Sequence, residues 1–147
     1  MKSQADTEYS KDFYSWALHN ADLIRHKKFS EIDSKHIAEE LESMGKSDRR
    51  ELINRLAVLI AHLLKWQYQP ARQSKSWKLT IKEQRIKIAQ LFEESPSLKH
   101  EIKLKLNSAY EQAVLLAEIE TGLNEDVFPM HCPFILEQCL DYSFFPS

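Results

Sequence analysis

Apolar residues recur at intervals of three and four along most of the chain, and the period is interrupted where a proline, a glycine or a run of short polar residues intervenes. That period is the mark of amphipathic helices. Phe13, Trp16, Ala17, Ala21 and Ile24 predict a first helix from about Ser10 or Lys11 to Lys27, preceded by a flexible N-terminus over 1–8. A short helix over 34–44 follows, with Asp33 or Ser34 as N-cap and Gly45 at its left-handed end. Ser47 then caps a long helix reaching about residue 68, where Pro70 ends it by lacking an amide donor. Leu52, Ile53, Leu56, Ala57, Leu59, Ile60, Leu63, Leu64 and Trp66 cover about half its circumference or more. Glu51, Asn54, Arg55, His62 and Lys65 are left on a narrow polar strip, so this helix is expected to be central.

After the connector "PARQSKS", a helix over about 76–94 carries Trp77, Ile81, Ile88, Leu91 and Phe92 on one stripe. Leu79 and Ile86 lie opposite, and Lys75, Lys78, Lys82 and Arg85 form a basic flank between them. Ser95 and Pro96 signal the start of a further helix, which keeps its period to Gly122 with a bend available at Asn107 and Ser108. A last short helix begins at Pro133 and runs out near Asp141. The expected fold is all-α, one domain over 9–147 built as a single compact bundle of about six helices.

Composition agrees with that class. The 147 residues include two glycines and five prolines, too little turn chemistry for a sheet of hairpins. No segment approaches the roughly 18 uninterrupted apolar residues of a membrane span, and the first residues lack a signal-like apolar run, so a cytoplasmic protein is expected. Cys132 and Cys139 are too few for a disulfide framework, and reduced thiols are expected.

The net charge of -2 conceals a segregation. Between Leu52 and Lys82 stand Arg55, Lys65, Arg72, Lys75, Lys78 and Lys82 with no acid, whereas beyond Lys105 seven acidic residues occur with no Lys or Arg. Either the acidic C-terminal third folds against the basic flank, which is the preferred expectation, or the flank faces an external polyanion. Nucleic acid is the second reading: Arg72, Lys75, Lys78, Lys82 and Arg85 as phosphate contacts, with Tyr68 as the likeliest exposed ring. Trp66 and Trp77 continue apolar stripes and are expected in the core.

Candidate chemistry is sparse. His36, Glu40 and His62 are the best metal-ligand set, but no H-E-x-x-H or zinc-type cysteine spacing accompanies them. Neither cysteine has a catalytic partner in a motif, although Cys132 ahead of Pro133 would gain reactivity from a helix start. With two glycines placed as helix stops, no phosphate loop exists. Glu120 falls in line with Ile102, Ala113 and Leu116 on the core face, so it needs either a solvent exit, the favoured expectation, or a buried ion pair with an Arg or Lys of the basic middle segment, which would make it a buried charge. No catalytic residues and no cofactor are identified. The leading expectation is a binding module for another protein or for a second copy. Its expected interface is Phe128, Phe134, Tyr142, Phe144 and Phe145, too many aromatics to bury together in one small domain.

The segments "DFYSWALHNADLIRHKKFSEID", "HIAEELESMGKSDRRELINRLAVLIAHLLKWQYQP", "SWKLTIKEQR", "SPSL", "AYEQAVLLAEIETGL" and "FPMHCPFILEQCLD" resemble, in this order, the bacterial family known as domain of unknown function 29. The resemblance covers about residues 9–141. It implies a helical domain and carries over no reaction, cofactor or catalytic set.

Overall fold

The computed structural model describes the backbone of residues 4–147 and the side chains of 8–147. Six α-helices follow one another among these residues: α1 (Gln4–Lys11), α2 (Phe13–Arg25), α3 (Ser34–Tyr68), α4 (Lys75–Glu94), α5 (Leu98–Thr121) and α6 (Leu136–Leu140). Short 3-10 turns at Pro70–Arg72 and Glu125–Val127 complete the regular structure, and the fold class is all-α. The chain divides into two compact units, Met1–Lys46 and Ser47–Ser147. Among the described residues no helix is long and apolar enough to cross a membrane.

Several boundaries differ from the sequence expectation, each for a local reason. The flexible N-terminus expected over 1–8 includes 1–3, which lie outside the described residues, and Gln4–Lys11 form α1. The first helix is split at Asp12, whose carboxylate accepts from the amide of Ser15 at 3.1 Å and caps α2. The two helices expected on either side of Gly45 are one continuous helix, because Gly45 does not leave the right-handed region; Gly122, at φ 75°, is the glycine in the left-handed conformation. Ser74 caps α4 through the amide of Trp77, so the helix begins at Lys75, one residue ahead of the expected 76. Ser95 and Pro96 form a turn ahead of α5 instead of its first turn, and α5 is continuous through Asn107 and Ser108. The last helix begins at Leu136, so Cys132 and Pro133 precede it in a loop.

In the second unit α3 supplies the core. Leu52, Leu56, Leu59, Ile60, Leu63 and Leu64 are all fully buried, each contributing about 1.5–3 kcal/mol of gross apolar transfer energy. Against them pack Ile81 and Ile88 of α4, Ile102, Ala109, Ala113 and Ala117 of α5, and Phe128, Phe134, Leu136 and Cys139 of the C-terminal segment. The alanines of α5 recur at spacings of four and let that helix approach closely. In the first unit Trp16, Leu23, Asn20 and His36 are buried, and a polar network substitutes for a large apolar core.

Candidate functional site

Two basic residues that looked alike in sequence as solvent-side charges are buried. Arg85 stands one turn from both Ile81 and Ile88, inside the buried stripe of α4, and is 2% exposed. Its guanidinium is consumed by backbone carbonyls of the C-terminal segment: Nε donates to Cys139 at 2.8 Å, and Nη2 to Phe144 at 2.8 Å and Gln138 at 3.4 Å. The planar fork thereby serves carbonyls of α6 and of the segment that follows it. Burial depresses the Arg85 pKa, and the Phe145 ring lies 5.5 Å from the guanidinium carbon. Arg85 is therefore not available to a phosphate, a correction to the basic flank drawn from sequence.

Lys65 is the second. It leaves the polar strip assigned to it, is 7% exposed, lies with Nζ 4.7 Å from the centre of the Trp77 ring and pairs with Glu120 at 2.6 Å. Glu120 has the solvent exit, with 42% of its side chain exposed, so it is not the buried charge of the alternative reading; it does pair with a cation of the basic middle segment, and that cation is the buried member. His62, one turn back on α3, bonds the Val58 carbonyl at 2.9 Å, and burial together with the nearby Lys65 charge lowers its pKa.

Arg72, Lys75, Lys78 and Lys82 remain exposed, and among the described residues none of them has a carboxylate within ion-pair reach. The acidic C-terminal third does not cover them, contrary to expectation; what it covers is Arg85, and it does so with carbonyls. Lys78, Leu79, Lys82, Arg85, Tyr142 and Phe145 line a groove of about 360 Å³ between α4 and the C-terminal segment. Lys78 Nζ sits 5.7 Å from the Phe145 ring, while Leu79 and Tyr142 expose 53% and 55% of their surface at the groove. Ile86, two turns beyond Leu79 along α4, is exposed as well.

The five aromatics expected at an interface divide unequally. Phe128 and Phe134 are buried, Phe144 packs edge-on against Phe134 at 5.8 Å, and Phe145 packs on Trp66 at 5.0 Å; Tyr142 alone of the five is exposed. The C-terminal aromatics therefore close the core. Tyr68 is half-buried with its ring edge-on to Phe128 at 5.3 Å, Trp66 is half-buried against Phe145 and Trp77 against Lys65, so the stacking platform expected for nucleic acid is mostly covered.

The metal set is not assembled. His36 and Glu40 belong to the first unit and His62 to the second, and among the described residues no group of three or more ligating side chains could hold a metal ion. His36 and Glu40 serve a different network. Asp33 accepts from Trp16 Nε1 at 2.8 Å and lies 2.6 Å from His36 Nδ1, Asn20 Oδ1 accepts from the Asp33 amide, and Tyr9 stacks on His36 at 4.0 Å while donating its hydroxyl to Glu40. Burial pushes the Asp33 carboxyl up, but the hydrogen bonds from His36 and Trp16 outweigh it and hold it below the ordinary value. The Glu40 carboxylate, with burial adding to it, raises the Tyr9 hydroxyl to about 12.

A second cavity of about 560 Å³ lies beside Tyr110, Glu111, Glu125, Asp126 and Met130. Its carboxylates converge on no buried polar group, and the Tyr110 hydroxyl at its edge is already spent on the Pro129 carbonyl at 2.5 Å.

A family model described as domain of unknown function DUF29 matches residues 8–145, nearly the whole length. No curated protein and no solved structure matches the chain.

Proposed function

The chain belongs to the DUF29 family, described as a domain of unknown function, and we propose that it is a binding module whose groove along α4 holds an acidic, apolar-anchored segment of a partner protein. The observation that carries this is the separation of the basic residues. Lys65 and Arg85 are spent within the fold, while Arg72, Lys75, Lys78 and Lys82 stand exposed, Lys78 and Lys82 at the groove beside Leu79 and Tyr142. Solvated cations around exposed apolar side chains complement carboxylates flanking an aliphatic or aromatic anchor, where the apolar contact supplies affinity and the charges supply approach and register.

Nucleic acid is the weaker fit. Backbone phosphates would satisfy the lysines, but single-stranded recognition draws on several stacking rings, and Tyr142 is the exposed one here. The module carries no chemistry of its own in this reading, and its partner lies with it in a bacterial cytoplasm, where the two free cysteines stay reduced.

Fluorescence anisotropy tests the reading with three labelled probes: an Asp/Glu peptide containing Leu and Phe, the same peptide with Ser in place of both, and a single-stranded oligonucleotide of equal charge. The first probe is expected to bind most tightly, weakening between about 50 and 200 mM salt but less steeply than a phosphate ligand would. No binding of the first probe at low salt, or tighter binding of the oligonucleotide, overturns the proposal. Sedimentation of the free protein separates an added partner from a second copy, whose own acidic segment would produce concentration-dependent association.

A further inference from the structure

The polar strip of α3 is only partly taken up by the interior. His62 and Lys65 have partners within the fold, but Glu51, Asn54 and Arg55 line an open cavity of about 460 Å³ together with Ser47, Arg50 and Gln84. Its cations are unequally satisfied. Arg55 is held by Glu51 at 2.9 and 3.0 Å and by the Gln84 oxygen at 3.4 Å, which leaves the Gln84 amide nitrogen as a donor. Arg49 next in sequence pairs with Glu101 at 3.8 Å, whereas the exposed Arg50 has no carboxylate within ion-pair reach among the described residues.

A smaller cavity of about 290 Å³ shares Asn54 and Val58 with the first and continues it between α3 and α5, against Ala57, Leu115 and Leu116. No charged side chain lines it, and Leu115 keeps 58% exposure. Arg50 and Val58 stand about 12 Å apart along the axis of α3. From this juxtaposition of an unpaired guanidinium and free amides with an open aliphatic trough, we infer that the α3 strip binds an aliphatic monocarboxylate of medium chain length. Its carboxylate meets Arg50, Asn54 and Gln84, and its chain lies along Val58, Leu115 and Leu116.

The lining narrows the ligand further. Arg50, Arg55 and Glu51 sum to one positive charge, which matches a single carboxylate, and Glu51 opposes the second charge of a phosphate dianion. The planar guanidinium accommodates both carboxylate oxygens, and the neutral amides donate without adding charge. No aromatic ring lines either cavity, so a nucleobase has no stacking face, whereas methylenes pack on Val58 and the leucines. The site shares no lining residue with the α4 groove and does not depend on what that groove holds.

Heteronuclear NMR of the full chain, titrated separately with octanoate, butanoate, 1-octanol and a peptide ending in a free Leu carboxylate, is the test. Octanoate is expected to shift the side-chain amide signals of Asn54 and Gln84 and the Nε signal of Arg50. Butanoate should bind about tenfold more weakly, since each methylene half covered by the trough contributes about twofold. The uncharged 1-octanol should also bind about tenfold more weakly than octanoate, the difference being the carboxylate on Arg50. Arg50→Gln should abolish that preference for octanoate, and Leu115→Ser should weaken octanoate and 1-octanol alike; both positions are exposed. Three results overturn the inference: no response at Asn54 and Gln84 to millimolar octanoate, 1-octanol binding as tightly as octanoate, or the peptide binding more tightly, which assigns the strip to a protein C-terminus. The wild-type comparison of octanoate with 1-octanol decides the matter even if a variant fails to fold.

Discussion

Arg85 donates Nε to the carbonyl of Cys139 at 2.8 Å from a position with 2% exposure, joining the middle of α4 to the end of α6. Four carbonyls of the C-terminal segment, those of Gln138, Cys139, Tyr142 and Phe144, have this one guanidinium in common. Replacing it with methionine fills much of the volume and removes the donor these carbonyls share, although Gln138 keeps the Asp141 amide. Arg85→Met should lower stability to urea by about 3 kcal/mol or more, and Arg85→Lys, with a single point donor, should recover a minor part of that. Hydrogen exchange checks the locality: amides over 138–144 should lose protection first. Unchanged protection there would mean that the aromatic packing alone holds the segment.

The Lys65–Glu120 pair is asymmetric, with the ammonium buried and the carboxylate 42% exposed. Removing the carboxylate leaves a buried charge with the Trp77 ring as its remaining neighbour, whereas removing the ammonium frees an exposed carboxylate that water accepts. Urea midpoints should therefore rank Glu120→Gln as more destabilising than Lys65→Met. Water reaching Glu120 limits the first loss to about 1 kcal/mol. The reverse ranking would indicate that Lys65 packs mainly through its aliphatic stem.

The two glycines answer oppositely to alanine. Gly45 lies within α3, and a Cβ built there meets nothing within 4 Å, so Gly45→Ala should stabilise by about 0.5–1 kcal/mol. Gly122 closes α5 at φ +75°, where an L side chain is strained, so Gly122→Ala should destabilise by about 1 kcal/mol. Thermal midpoints of both variants read the two signs directly.

The same comparison shows what the sequence could and could not disclose. The apolar period of α3 and α4 is carried by many residues, so their existence and inward faces were legible. Gly45 was read as a stop because glycine permits a left-handed turn, but permission is not requirement, and the helix on either side carries it through. Family membership was legible in the order of the segments. The fate of the charges was not. Spacing groups Arg85 with Lys78 and Lys82, yet Ile81 and Ile88 also flank it one turn away on the buried stripe, and spacing alone does not decide between the two. Its carbonyl partners lie more than 50 residues away in the chain and have no side-chain signature, so nothing in the residue types announced them.

Acid should loosen the first unit through Asp33. Its pKa is held below the ordinary carboxylate value of about 3.9, so its stabilising contribution is fully present above that value and disappears as pH falls through the folded-state pKa. The Trp16 Nε1–H resonance, whose proton is bonded to Asp33, should move sharply in that window. Asp33→Asn should flatten the acid limb of the stability profile while costing about 1 kcal/mol near neutrality. An acid limb unchanged by the substitution would place the sensitivity on another group.

Side-chain NMR tests the division of the basic residues most directly, by following lysine Nζ and arginine Nε signals while the Leu- and Phe-containing acidic peptide is added. Lys75, Lys78 and Lys82 should exchange rapidly with water in the free protein and shift on titration. Lys65 and Arg85 should exchange slowly and stay where they are. Rapid exchange at Arg85 and Lys65, with no response from the three lysines, would contradict both the internal clamp and the open groove beside it.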